Sequence, residues 1–117
     1  MKPLERDAAH LWDMLEAAKQ AAELSKDTGL DQLLEDVRTR YAVERALEIV
    51  GEAARRVSRA TRDAHPEIPW VGIIGFLNVL AHKYGAIDYR RLYTVLKGDV
   101  PNLIRELEAI LASIDEQ

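Results

Sequence analysis

The sequence predicts an all-α fold, a bundle of about five helices, and three observations carry that expectation. Apolar residues recur at spacings of three and four along most of the chain, and no stretch alternates like a strand. Gly and Pro punctuate the few places where helices should end. No internal repeat, low-complexity tract or linker appears, so residues 1–117 are read as one domain, long enough for a proper core.

In order along the chain, Leu4, Ala8, Leu11, Leu15, Ala18 and Ala22 form one apolar stripe, which predicts a first helix from about Leu4 to Lys26. Asp27-Thr28-Gly29 is a turn. Thr28, with Asp31 three residues on, resembles a capping box and places the next helix start there. That second helix is predicted to be long, because no Gly or Pro falls between Leu30 and Val50 and Gly51 alone is tolerated. Leu30, Leu33, Leu34 and Val37 give it one apolar stripe; Val43, Leu47, Val50, Ala54 and Val57 give it another. Tyr41, Arg45, Glu48 and Glu52 lie opposite the second stripe and form a polar face.

The breaker run His65-Pro66-Glu67-Ile68-Pro69 ends this segment, with Pro69 suited to open a central helix from Trp70 to Tyr84 and Gly85 suited to close it. Asp88 is the expected cap of a short helix, Tyr89 to Lys97. Gly98-Asp99-Val100-Pro101 then reads as a turn into a last helix, whose apolar face is Leu103, Leu107, Ile110, Leu111 and Ile114.

Composition narrows the function classes. Apolar residues at 48% and charged residues at 31% are ordinary for a globular protein. No apolar run approaches a membrane span and the start lacks a signal-peptide core, so a cytoplasmic protein is expected. Absence of cysteine excludes disulfides and thiolate metal sites. A net charge of −4 argues against broad, sequence-independent nucleic-acid binding, while leaving room for a local basic patch.

Three constellations could carry chemistry. Asn78 and His82, at i and i+4, share one face of a very apolar helix, either held by internal hydrogen bonds or exposed in a cleft for use. Histidines titrate near neutrality, so His82 could move the proton that phosphodiester cleavage through a ribose 2′-hydroxyl requires; on the pattern alone, a satisfied core histidine at a helix C-terminus is the commoner explanation. Glu48 and Glu52, one turn apart, could bind a metal together with Glu44, or simply pair with Arg45. Arg55, Arg56, Arg59 and Arg62 could hold phosphates or form a solvated basic face. No Gly-rich phosphate loop, nucleophile elbow, zinc motif or Glu-x-x-His pair is present.

Three blocks, in order, carry a family resemblance: Glu48-Ile49-Val50-Gly51-Glu52-Ala53-Ala54, then His65-Pro66-Glu67-Ile68-Pro69-Trp70, then Ile74-Gly75-Phe76-Leu77-Asn78-Val79-Leu80-Ala81-His82-Lys83-Tyr84. Together with Asp99-Val100-Pro101 they make the chain resemble HepT, the HEPN-domain toxins encoded beside a minimal nucleotidyltransferase (MNT) antitoxin. The resemblance implies a single HEPN-type antiparallel helical bundle over 1–117 that pairs as a homodimer, with the motif helices of both copies facing a shared cleft. It implies a metal-independent ribonuclease without a cofactor, acting on RNA of the transfer-RNA class, and a cognate nucleotidyltransferase as partner. His82 is then the catalytic histidine, Asn78 shapes the same site, and Tyr84 matches the tyrosine that receives AMP. Such AMPylation adds bulk and negative charge where an RNA phosphate must sit.

One position departs from the family pattern. The motif is Arg-x4-His-x-Tyr, and Leu77 occupies the place of its arginine. Losing one group that stabilises developing charge commonly costs on the order of 10²–10³ in rate. Lys83 and the Arg55–Arg62 patch, including Arg59, are the cations available to compensate, while Arg45, Glu48 and Glu52 are expected to line or brace the cleft. Two alternatives stand beside the toxin reading: a catalytically dead helical adaptor that binds the nucleotidyltransferase, favoured by Leu77 and the net negative charge, and a carboxylate metalloenzyme using Glu44, Glu48 and Glu52.

Overall fold

Every segment that the three-four apolar spacing marks is helical. The computed structural model describes residues 3–82 and 87–115, with side chains for 6–76, 78–80 and 87–114; among these there is helix and no strand. The helices are α1 (Pro3–Leu24), α2 (Leu30–Glu35), α3 (Val37–Arg56), α4 (Arg59–Ala64), α5 (Trp70–His82), α6 (Tyr89–Thr94) and α7 (Val100–Asp115), with a π-helical turn, Val95–Asp99, joining the last two. None of them is long and apolar enough to cross a membrane.

The core forms where α1 lies against α3 and α7, and α3 also packs against α5. Leu11 and Met14 of α1, Val43 and Ala54 of α3 and Leu107 of α7 are completely enclosed. All five residues of the stripe Val43, Leu47, Val50, Ala54 and Val57 are buried, as its spacing predicted. The other predicted stripe of this segment is not. Of its four members only Leu33 is buried; Leu34 is exposed on the short α2, and Val37 is exposed at the very start of α3.

The long second helix of the sequence reading is in fact three helices. The first break comes at Asp36, whose backbone is extended and whose carboxylate accepts hydrogen bonds from the N–H groups of Arg38 (3.1 Å) and Thr39 (3.2 Å). A short acidic side chain that can cap a helix competes with helix continuation, so no Gly or Pro is needed. The second break comes at Val57-Ser58. There the Ser58 N–H donates to Asp7 Oδ1 of α1 at 3.1 Å instead of to a carbonyl of its own helix. The Ser58 hydroxyl donates to Asp7 Oδ2 at 2.6 Å and its oxygen caps α4 by accepting from the Thr61 N–H at 3.3 Å.

Other boundaries also moved. The cap of α2 is Gly29, not Thr28, and its N–H donates to Gln32 Oε1 at 3.3 Å. Helix α1 stops at Leu24, where the Lys97 ammonium reaches the carbonyls of Ser25 and Lys26, a cation at a helix C-terminus that the helix itself lacks. The expected turn at Gly98-Asp99-Val100-Pro101 is no turn: the chain runs helically from Tyr89 to Asp115. Widening to a π turn lets the Val100 N–H bond to the Val95 carbonyl and brings Pro101, which has no N–H to give, into the first turn of α7.

Two predicted boundaries stand as expected. Asp88 caps α6 by accepting from the N–H groups of Arg90 (3.0 Å) and Arg91 (3.2 Å). Pro69 directly precedes α5, its carbonyl accepting from the Ile73 N–H at 3.0 Å, and the buried Trp70 indole donates to the His65 carbonyl at 3.0 Å. Gly85, the expected end of the central helix, lies outside the described residues.

Candidate functional site

The polar face of α3 and the second half of α5 meet on one side of the bundle, because α3 spends its opposite face on the core. Along α3, Arg45 sits between two carboxylates, 3.6 Å from Glu48 and 3.7 Å from Glu52. Ten residues on, the Arg55 guanidinium donates from Nη2 to Asn78 Oδ1 at 2.8 Å, tying α3 to α5. Asn78 is exposed and hydrogen-bonded at once. Arg59, by contrast, pairs with Asp63 inside α4, at 3.8 Å.

Beside this face opens a pocket of about 390 Å³, bounded by α3, the end of α5 and the start of α6. Arg40, Tyr41, Glu44, Arg45 and Glu48 line it from α3; Leu80 closes it from α5, and Ile87 and Tyr89 from the α6 side. The Arg40 guanidinium lies over the Tyr89 ring at 5.1 Å and the Tyr41 ring at 5.9 Å, and it also donates to the Leu34 carbonyl across the Asp36 break. Burial raises the Tyr89 phenol above its ordinary pKa, and the neighbouring Glu44 carboxylate pushes the same way. Glu44 Oε1 and Arg40 Nε are buried and have no hydrogen-bond partner among the described residues.

Asn78, the predicted site residue of α5 whose side chain is described, lies at the edge of this region beside Arg55. Asn78 precedes His82 by one turn on α5, and His82 is the last residue of that helix. The side chains of Leu77 and His82 lie outside the described residues, as do Lys83 and Tyr84. Sequence reasoning placed Arg45, Glu48 and Glu52 together correctly, and it named Arg55 without its partner. It did not single out Arg40 or Tyr89. Their one legible signal was the aromatic next to the Asp88 cap; the pairing with Arg40 spans forty-nine positions and has no local signature. Among the described residues no three His, Asp or Glu side chains converge in a way that could hold a metal ion.

Arginines, carboxylates and tyrosines gathered beside one helix end have the chemistry to take a polar, planar or anionic group. The chain matches the family described as Ribonuclease HepT-like over residues 14–110, and it belongs to that family. It is 41% identical over 102 residues to "Putative RNase MJ1380" of Methanocaldococcus jannaschii, covering 87% of this chain and 94% of that protein. It is 35% identical over 101 residues to "Probable ribonuclease HepT" of Thermococcus cleftensis, covering 86% and 92%. A second Methanocaldococcus jannaschii protein, "Putative RNase MJ0127", is 34% identical over 107 residues, covering 92% and 88%. No solved structure matches the chain.

Proposed function

We propose that this chain is the ribonuclease toxin of a HEPN/MNT toxin–antitoxin module, a single HEPN domain acting as a homodimer on transfer RNA. The observation that carries the reading is the HepT-like family match over residues 14–110, which spans both the polar face of α3 and the motif helix α5. His82 takes the proton from a ribose 2′-hydroxyl, whose oxygen attacks the adjacent phosphorus. The bond to the 5′-oxygen breaks, that oxygen acquires a proton, and a cyclic phosphate remains on the other fragment. The two His82 side chains of a dimer serve as base and acid in the shared cleft, with no metal required.

Arg55 bears on the departure at Leu77. Its hydrogen bond to Asn78 brings a guanidinium to α5, one residue from the position where the family carries its arginine. Arg55 therefore supports the scissile phosphate from α3, Asn78 orients it, and Arg45 with Glu48 and Glu52 braces the same face. The nucleotidyltransferase antitoxin silences the toxin by placing AMP on Tyr84, which puts charge and bulk where the RNA phosphate sits.

The test is cleavage of transfer RNA in EDTA by the unaltered chain and by Leu77→Arg, Arg55→Ala and His82→Ala. Leu77→Arg should cleave at least tenfold faster than the unaltered chain, Arg55→Ala should be weaker, and His82→Ala inactive. Full activity in His82→Ala refutes the catalytic assignment. Leu77 and the net charge of −4 also favour a non-enzymatic adaptor. No cleavage even with Leu77→Arg, alongside a stable complex with the nucleotidyltransferase, selects that reading. Intact mass after co-expression with the antitoxin should show AMP increments that map to Tyr84.

A further inference from the structure

We infer that the pocket bounded by α3, Leu80 and Tyr89 is a guanine-selective subsite, which holds an unpaired RNA base next to the cleaved bond. The inference rests on the ribonuclease reading for its placement, but the pocket's chemistry argues for the base on its own. Single-stranded RNA is read by stacking bases on aromatic rings or guanidinium planes and by hydrogen-bonding their exposed edges. The Tyr41 and Tyr89 rings supply that stacking surface, and the Arg40 guanidinium packed against both is steadied by the Leu34 carbonyl.

The edge-reading groups are those left unsatisfied. Arg45 and Glu48 also face the pocket, yet they are paired with each other. Glu44 Oε1 and Arg40 Nε are the buried acceptor and buried donor there that find no partner among the described residues. Groups left so are costly in a folded chain, and a ligand offering the complementary donor and acceptor removes the cost.

Guanine alone among the four bases places two donors, N1–H and the N2 amino group, side by side for one carboxylate. It also offers O6 and N7 as acceptors for an arginine. Adenine and cytosine each set a ring-nitrogen acceptor beside their amino donor, which a carboxylate repels. Uracil has a single N–H between two carbonyls. A volume of about 390 Å³ lies within the usual range for small-molecule sites. Leu80, which closes the pocket, lies on the motif helix α5, which on the ribonuclease reading puts the bound base on a nucleotide near the reacting phosphate.

The test is calorimetric titration of the full chain with guanosine, adenosine, cytidine, uridine and inosine 5′-monophosphates, repeated on Glu44→Gln. Guanosine monophosphate should bind at least tenfold tighter than the other three natural nucleotides. Inosine monophosphate, which lacks only the N2 amino group, should bind several-fold more weakly than guanosine monophosphate. Glu44→Gln should erase the preference while its circular dichroism spectrum stays unchanged. Equal binding of all five nucleotides by the unaltered chain overturns the inference, whatever the variant does. RNA cleavage without guanine preference sinks the subsite and leaves the ribonuclease standing. Guanine preference without cleavage, even with Leu77→Arg, keeps the pocket and sinks the ribonuclease reading.

Discussion

Replacing Asp7 by Ala should destabilise the protein far more than its sequence position in an amphipathic helix suggests. The residue is 4% exposed, and its carboxylate accepts both the Ser58 N–H at 3.1 Å and the Ser58 hydroxyl at 2.6 Å. Hydrogen bonds to a charged group contribute about 1.5–3 kcal/mol each, and water recovers part of that when the carboxylate is removed, so a net loss of about 3 kcal/mol is expected. For a chain of this size that lowers Tm by roughly 10 °C. Burial alone would raise the Asp7 pKa, but hydrogen bonds from Ser58 and Thr61 outweigh it and hold the carboxyl below its ordinary value of 3.8. A depressed folded-state pKa means that the contribution is present above the unfolded value, near 3.9, and is lost as pH falls through the lower folded one. Urea denaturation of the unaltered chain and Asp7→Ala should therefore show the full difference at pH 7 and a shrinking one below about pH 4. A difference under about 1 kcal/mol at pH 7, or one that is the same at pH 2.5, refutes this account. The tie also fixes where α3 ends, close to Arg55, so if the chain cleaves RNA as proposed, Asp7→Ala should weaken that cleavage at temperatures where the fold is intact.

Three further outcomes are expected. Leu107→Ala, at a completely enclosed position on α7, should cost about 2–5 kcal/mol, read as a lower urea midpoint with little change in slope. Asp36→Ala removes the cap of α3 and should lower Tm measurably, though by less than Leu107→Ala, because the carboxylate is exposed and capping bonds there compete with water. The raised Tyr89 pKa stabilises the fold below the unfolded phenol value, near 10, and that contribution is lost as pH rises through the folded value. Tyr89→Phe should therefore flatten the alkaline limb of a stability–pH profile, and an unchanged limb would show that the phenol is not the group responsible.

The sequence by itself determined the helical class, the buried stripe of α3, the Asp88 cap and the grouping of Arg45 with Glu48 and Glu52. The stripe and the grouping follow from spacing within one helix, where residues three or four apart share a face whatever the rest of the chain does. The cap follows from a short acidic side chain placed to accept the first free N–H groups. It also carried the three blocks that placed the chain beside HepT. Tertiary structure decided what spacing could not. Asp7 reads as one more polar residue of α1 until it meets Ser58, fifty-one positions away, and that meeting sets the break between α3 and α4. Asp36 could have continued a helix as easily as capped one, since its side chain merely competes with the backbone for the same N–H groups. Arg55 found Asn78, and Arg40 found Tyr89, only because α3 turns its apolar stripe inward and leaves its polar face to α5 and α6. Periodicity tells each helix which side to bury; which polar groups then meet across the gaps depends on how those buried sides pack.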